Sequence, residues 1–334
     1  MTAATDVYDR PLRDLRISVT DRCNFRCTYC MPKEVFGPGY EFLPRDQLLT
    51  FEEIVSVVHH FVGRGVNKVR ITGGEPLLRK GIEDLIGMIS AVDGVEDLTL
   101  TTNASLLARK AEALAANGLN RVTVSLDAMD DPTVQTMNDV GFPVSAVLEA
   151  IDVAAEAGLS PVKVNAVIKR GVNEHAVVDM ARHFKGTGHI VRFIEFMDVG
   201  NTNGWRMDDV VPAEEIVQAI NAEFAVEPVP SNYAGEVANR FRYLDGSGEV
   251  GVIASVTKPF CGSCTRARVS AEGVLYTCLF AAGGTSLRDV IRAGGDLGGV
   301  IDEVWAKRDD RYSEIRSSNT ARMSVPVEMS YIGG

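Results

Sequence analysis

The chain has 334 residues, room for one large catalytic domain or a domain with a substantial appendage, and its 46% hydrophobic and 24% charged content excludes a disordered polar chain. Lys and Arg number 34 against 45 Asp and Glu; the formal net charge of −11 opposes binding to nucleic acid or an acidic membrane, though not to a small anion in a locally basic pocket. No run approaches the roughly 18 apolar residues of a membrane-spanning helix, and the charged opening MTAATDVYDRPLRDLRI reads as neither signal peptide nor anchor.

In chain order, β-rich runs at 16–20, 68–74, 97–103, 121–128, 161–168 and 190–197 alternate with helical patterns. The strongest helix starts at Thr50, where Glu53 completes a capping box and Ile54, Val57, Val58, Phe61 and Val62 recur at helical spacing. Further helices are expected at 85–91, 106–114, 147–157 and 177–184, each followed by a glycine. Six strand-helix units predict a parallel sheet with right-handed crossovers, as a partial barrel or a flat doubly wound sheet. Beyond residue 200 the pattern changes: a loop-like stretch, a helix near 211–224, short strands with glycine turns at 246–248 and near Gly273, a short helix at 286–294 and a mixed charged segment. A boundary is therefore expected near 200–215, giving residues 1–210 and 211–334.

The six cysteines form two groups of three, Cys23, Cys27 and Cys30, then Cys261, Cys264 and Cys278. Three thiols pair poorly as disulfides but suit a cluster or metal in a reducing compartment, which points to the cytoplasm. The first triad, in SVTDRCNFRCTYCMP, lies where a loop leaves a parallel strand. Three ligands leave one iron of a four-iron cluster open, whereas electron carriers normally use four cysteines. The competing reading is a structural zinc site completed by His or Asp, although all five His lie far off in sequence. In the second triad Cys278 follows CxxC after an expected hairpin that returns its thiol to the other two. Arg266 and Arg268 alternate with Thr265 and Ala267, so a strand there turns both guanidiniums to one face, beside the triad or into solvent. Arg16, Arg70, Lys163 and Arg192 alternate with apolar neighbours on four strands; converging inside a barrel they would need a polyanion, unless each pairs with an acid such as Asp127 or Glu195.

CX3CX2C with Tyr29 before its last Cys, together with the ITGGEPLL segment, resembles the radical S-adenosylmethionine (SAM) superfamily, which implies a partial (β/α)6 TIM-like barrel with a smaller C-terminal α+β domain closing its mouth. The two triads, TRAR after Cys264, MDVGNTNGW after the sixth strand and the terminal GG resemble, from about Arg10 to Gly334, the GTP 3′,8-cyclase family of molybdenum cofactor biosynthesis. That resemblance implies two [4Fe-4S] clusters, one on each triad, and SAM held by Tyr29, Gly74, Ser125 and Met197. It implies GTP held by Arg16, Arg70, Thr101, Lys163, Arg192, Arg266, Ala267 and Arg268, with glycines 73 and 74 allowing close approach of the SAM amino group. The implied reaction cleaves SAM, removes hydrogen from ribose C3′ and joins C3′ to guanine C8, with no side-chain nucleophile and with the GG tail reaching into the cavity. Implied partners are an external one-electron donor and the downstream cyclic pyranopterin monophosphate synthase, and a homodimer is compatible. The alternatives are a peptide-modifying radical enzyme with an auxiliary cluster, expected to be richer in C-terminal cysteines, and a two-cluster electron carrier, expected to have four thiolates per cluster.

Overall fold

In the computed structural model, which describes residues 4–316 and 326–333, all six expected strands of the first part form. The order is β1 (Asp14–Ser18), α1 (Phe51–Val62), β2 (Lys68–Thr72), α2 (Ile82–Ser90), β3 (Asp97–Thr102), α3 (Leu107–Ala116), β4 (Arg121–Ser125), α4 (Asp131–Asn138), α5 (Val144–Glu156), β5 (Lys163–Ile168), α6 (Ala176–Phe184) and β6 (Ile190–Glu195). The chain continues through α7 (Ala213–Glu223), β7 (Val226–Val229), β8 (Asn239–Tyr243), β9 (Glu249–Ile253), β10 (Arg266–Val269), β11 (Val274–Tyr276), β12 (Thr285–Ser286), α8 (Leu287–Arg292), α9 (Leu297–Ala306), α10 (Tyr312–Ile315) and α11 (Met329–Ile332).

The alternation within each strand decides which side becomes core. In β1, Leu15 and Ile17 are buried in the apolar layer while Arg16, between them, lines the interior of the sheet's curve. The outer layer is sealed by helix faces such as Ile54, Val57, Val58 and Phe61 of α1, all buried. The capping box that starts α1 is present: Thr50 accepts from the Glu53 amide and Glu53 from the Thr50 amide. β1 to β6 are parallel neighbours in sequence order, each joined to the next through at least one helix, and make an incomplete barrel.

The strands after residue 210 build no sheet of their own. β9 pairs parallel with β6 at one edge and β10 pairs parallel with β1 at the other, so one 12-stranded sheet runs β12-β11-β10-β1-β2-β3-β4-β5-β6-β9-β8-β7. Gly251 of β9 stands opposite Arg192, and a Cβ there would sit 3.0 Å from the Arg192 Cγ, so the glycine makes room for the arginine stem.

Four helices go beyond expectation, the one-turn α10 and α11 and two longer ones. α4 is held by Asp130, whose carboxylate accepts from the Thr133 amide, in a stretch too polar to show an apolar period. α9 lies in what reads as a mixed charged segment; Gly298 and Gly299 weaken its helical signal, yet Leu297, Ile301 and Trp305 bury one face of it and Asp296 caps it. Among the described residues no helix is long and apolar enough to cross a membrane.

Replacing Thr50 with Ala removes one arm of the cap and is expected to destabilise the chain by about 1 kcal/mol. In urea titrations this appears as a lowered midpoint with an unchanged slope, and Thr50→Ser should restore the midpoint.

Candidate functional site

A cavity of about 340 Å³ occupies the concave side of the barrel, and all six cysteines line it. The first triad follows the C-terminal end of β1. Cys264 lies just before the N-terminal end of β10, which is parallel to β1, and Cys278 comes back beside it because β11 is antiparallel to β10. The hairpin expected between the last two cysteines therefore forms, and the triads face the cavity from opposite ends of the strands.

All six cysteines are free and part-buried. At the first triad burial pushes the thiols up, Cys23 to about 11; Cys27 is raised by burial and then by Cys30, and Cys30 by burial and then by Cys23. At the second, burial alone would raise Cys264, but the cations of Arg266 and Arg308 outweigh it and hold the thiol at about 6; Cys278 is pushed up to about 12, first by burial and then by Asp310. Backbone amides already point at sulfur, Phe25 N at 3.4 Å from Cys23 and Phe280 N at 3.5 Å from Cys278. Buried thiols of this kind become thiolates only with a strong local positive charge, which iron supplies. Among the described residues no three His, Cys, Asp or Glu side chains converge tightly enough to share one ion. Thiolates of a four-iron cluster each take a different iron, so the donor set fits a cluster and not a mononuclear site.

Between the triads lies a floor of cations. Arg268, Arg16 and Arg70 stand in register on the adjacent strands β10, β1 and β2. Burial lowers Arg16 to about 9, with Arg70 and Arg266 adding to the effect, and lowers Arg70 and Arg192 to about 10. Lys163 falls to about 7, from burial first and then from Arg192 and Arg121. Their hydrogen-bond partners are neutral: Arg70 Nη1 donates to the Thr101 hydroxyl at 3.0 Å and to Thr123 at 3.1 Å, and Arg192 Nε donates to Asn165 Oδ1 at 2.9 Å.

The acids named as their alternative partners are otherwise engaged. Glu195 accepts from the amides of Ala213, Val256 and Thr257, and Asp127 accepts from the Tyr29 hydroxyl at 3.0 Å and the Val167 amide at 2.9 Å. Among the described residues Arg16, Arg70, Lys163 and Arg192 have no ion pair.

Tyr29, Gly74, Ser125 and Met197 line the same cavity, as do Arg16, Arg70, Thr101, Lys163, Arg192, Arg266 and Arg268. Ala267 does not; its side chain belongs to the apolar layer against the helices, the necessary result of alternation between two inward arginines. The glycines meet protein rather than open space: a Cβ on Gly74 would lie 2.3 Å from the Arg22 carbonyl oxygen, and one on Gly73, at φ 147°, would lie 2.5 Å from the Thr20 oxygen. They dock the glycine segment on the loop that carries the first triad, with Gly74 N donating to Thr20 O and Glu75 N to Arg22 O. The tail also enters, since Arg268 donates to the Gly333 carbonyl and Met329 and Ser330 line the cavity; Gly334 lies outside the described residues.

Several lining residues escape the sequence reading. Asn165 was recoverable by period two from Lys163. Buried Glu75, raised to about 7 by burial and accepting from Leu77, Asn103 and Thr102, needed the fold, as did Tyr233, which comes from a loop.

Family models match in two stretches, the radical SAM superfamily over residues 17–184 and molybdenum cofactor synthesis C over 189–314. A curated GTP 3′,8-cyclase of Acidothermus cellulolyticus is 51% identical, covering 98% of each chain. The chain belongs to the GTP 3′,8-cyclase family. The cyclase of Staphylococcus epidermidis is 47% identical over 98% of both chains, and that of Xanthomonas campestris 49% identical over 98% of this chain and 97% of its own. Among solved structures, Streptococcus suis SuiB bound to S-adenosylmethionine superposes with a TM-score of 0.63 at 15% identity, covering 88% of this chain and 68% of that one, a likeness of fold. As a radical SAM family, the cyclases use SAM and [4Fe-4S] clusters, the groups the two triads fit.

Gly74→Ala should force the glycine segment off the Arg22 carbonyl, costing about 1–3 kcal/mol as an overpacked contact. The expected signature is a lowered melting temperature together with reduced iron retention; an unchanged melt and iron content would mean the two loops are not locked together.

Proposed function

We propose that this chain converts GTP to 3′,8-cyclo-7,8-dihydro-GTP, the first step of molybdenum cofactor biosynthesis. The observation that carries the reading is a floor of buried cations that form no ion pair among the described residues, between two cysteine triads, in a chain of this family. Cys23, Cys27 and Cys30 hold one [4Fe-4S] cluster and Cys261, Cys264 and Cys278 the other. When bound, the first cluster and SAM supply a radical that removes hydrogen from ribose C3′, after which C3′ bonds to guanine C8 and an electron and a proton complete the product.

The side chains bind, orient and exclude water. Arg16, Arg70, Lys163 and Arg192, with Arg266 and Arg268, neutralise the triphosphate and orient the guanosine; guanidiniums make forked bonds to phosphate where Lys acts as a point charge. Thr101 fixes the Arg70 fork, and Ala267 contributes backbone only. Tyr29, anchored by Asp127, packs with Gly74, Ser125 and Met197 around SAM. Phe25, Phe196, Phe260 and Phe280 line the cavity and keep water from a reactive intermediate.

In this reading residues 1–210 carry the SAM site and 211–334 the second triad and the tail. An external one-electron donor supplies electrons, the product passes to cyclic pyranopterin monophosphate synthase, and the chain works in the cytoplasm, where a reducing pool protects open-iron clusters. A homodimer is compatible with this reading. Peptide modification has only fold likeness behind it.

The test is anaerobic turnover of the reconstituted protein with SAM, with and without GTP. Formation of 5′-deoxyadenosine should require GTP and be matched by the cyclised product in mass spectra; formation independent of GTP would refute the reading. Cys27→Ser should abolish SAM cleavage, whereas Cys264→Ser should abolish productive use of GTP.

A second outcome follows from Lys163, whose charged form burial and neighbouring cations disfavour down to about 7. A bound polyanion favours that charged form, so binding of GTP above this value should take up a proton and weaken as pH rises. Calorimetry in buffers of different ionisation enthalpy should detect the uptake, and Lys163→Arg, charged throughout, should remove it.

A further inference from the structure

We infer that Arg308, held with Arg10 on the buried carboxylate of Asp6, is a positioning residue for the second cysteine triad, fixing the three backbone segments that carry Cys261, Cys264 and Cys278. The inference rests on the proposal that this triad holds a cluster.

The three side chains lie at the back of the triad and are almost wholly enclosed, Asp6 at 0%, Arg10 at 2% and Arg308 at 1% exposure. Asp6 accepts from Arg10 Nε at 2.6 Å and from Arg308 Nη1 at 3.1 Å, and its other oxygen accepts from the amides of Tyr8 and Arg10 at 3.0 Å. Arg10 Nη1, Arg308 Nε and the same Arg308 Nη1 reach the triad's own backbone. Arg10 Nη1 donates to the Cys261 carbonyl at 2.8 Å; Arg308 Nη1 donates to the Cys264 carbonyl at 2.8 Å and Arg308 Nε to the Thr277 carbonyl, next to Cys278, at 3.2 Å. Each of the three cysteine-bearing segments is thus tied to one carboxylate through two planar forks.

Packing alone would not require this arrangement. Apolar side chains could fill the same space, and burying guanidiniums is costly unless their fixed geometry is used. Trp305 shows how tightly that geometry is set: its ring lies under Arg308, 4.6 Å from the guanidinium carbon, and its Nε1 donates to the Arg10 carbonyl at 3.3 Å. Arg308 also lines the cavity, so its cation faces the cluster's side of the wall. Partners behind the ligands of a metal centre orient those ligands, and charge and hydrogen bonding beside a cluster set its potential.

The test uses the full chain carrying Cys23→Ser, Cys27→Ser and Cys30→Ser, in which the second triad is the sole iron site, and compares Arg308 with Arg308→Met and Arg308→Lys. Arg308→Met leaves Asp6 paired with Arg10, so the fold should survive, as its melting curve will show. Expected is loss of iron to a chelator faster by about 10- to 100-fold, with a midpoint potential more negative than the parent's by electron paramagnetic resonance titration. Arg308→Lys keeps the charge but cannot span two carbonyls, so its iron loss should also be fast while its potential stays closer to the parent's. If Arg308→Met fails to fold, Arg308→Lys carries the comparison. Unchanged iron loss and potential in a folded variant would overturn the inference, even with a lowered melting temperature. A parent that binds no iron despite an intact Arg308 would instead overturn the cluster reading of the second triad, and the inference with it.

Discussion

Buried cations that no acid pairs, Arg16, Arg70, Lys163 and Arg192, are the constraint around which the described part of this molecule is arranged. Arg268, Arg16 and Arg70 lie side by side on neighbouring strands, a placement that repels, and desolvation holds each below its ordinary value. A sheet built for stability would interleave acids. Here the nearby acids are withdrawn, Glu195 to gather the amide that begins α7 and two in the loop after β9, Asp127 to hold Tyr29. What remains is a cavity whose electrostatic deficit a polyanion makes good, and whose neutral hydrogen-bond partners keep the guanidiniums aimed while it is absent.

The topology puts reactive ends at both ends of that floor. Parallel strands deliver the first triad at their C-terminal ends, the usual place for chemistry in such barrels. Because β10 also runs parallel to β1, the residues before it arrive at the opposite end, and the antiparallel return of β11 completes the second triad there. A separate C-terminal sheet would have had to be docked by loops, whereas strands added to both edges inherit the register of the barrel itself.

Period and punctuation made the barrel legible: alternation in β1 to β6, the Thr50 cap and the glycine stops needed no fold to be read. The inward cations were legible for the same reason, since residues two apart share a face. What was hidden depends on contacts between distant segments. Nothing local says that a Cβ on Gly74 would strike the Arg22 carbonyl, a contact between loops that the fold alone brings together. Ala267 was grouped with its neighbours by motif, while strand geometry sends it the other way. α9 was masked by its glycines, and its burial against α1 supplies what its propensity lacks.

The ties between residues 6–10 and 308–310 have a consequence for biosynthesis. The loop of the first triad leaves β1, meets the glycine segment and is held further by Asn103, Asp127, Met137 and Asn138, all well before the second triad in sequence. The second is framed by Asp6 and Arg10 and by Arg308, 302 residues beyond Asp6. The buried ion pair of the amino-terminal segment therefore stays unmade until Arg308 has been synthesised, so the frame of the second triad cannot close before that of the first.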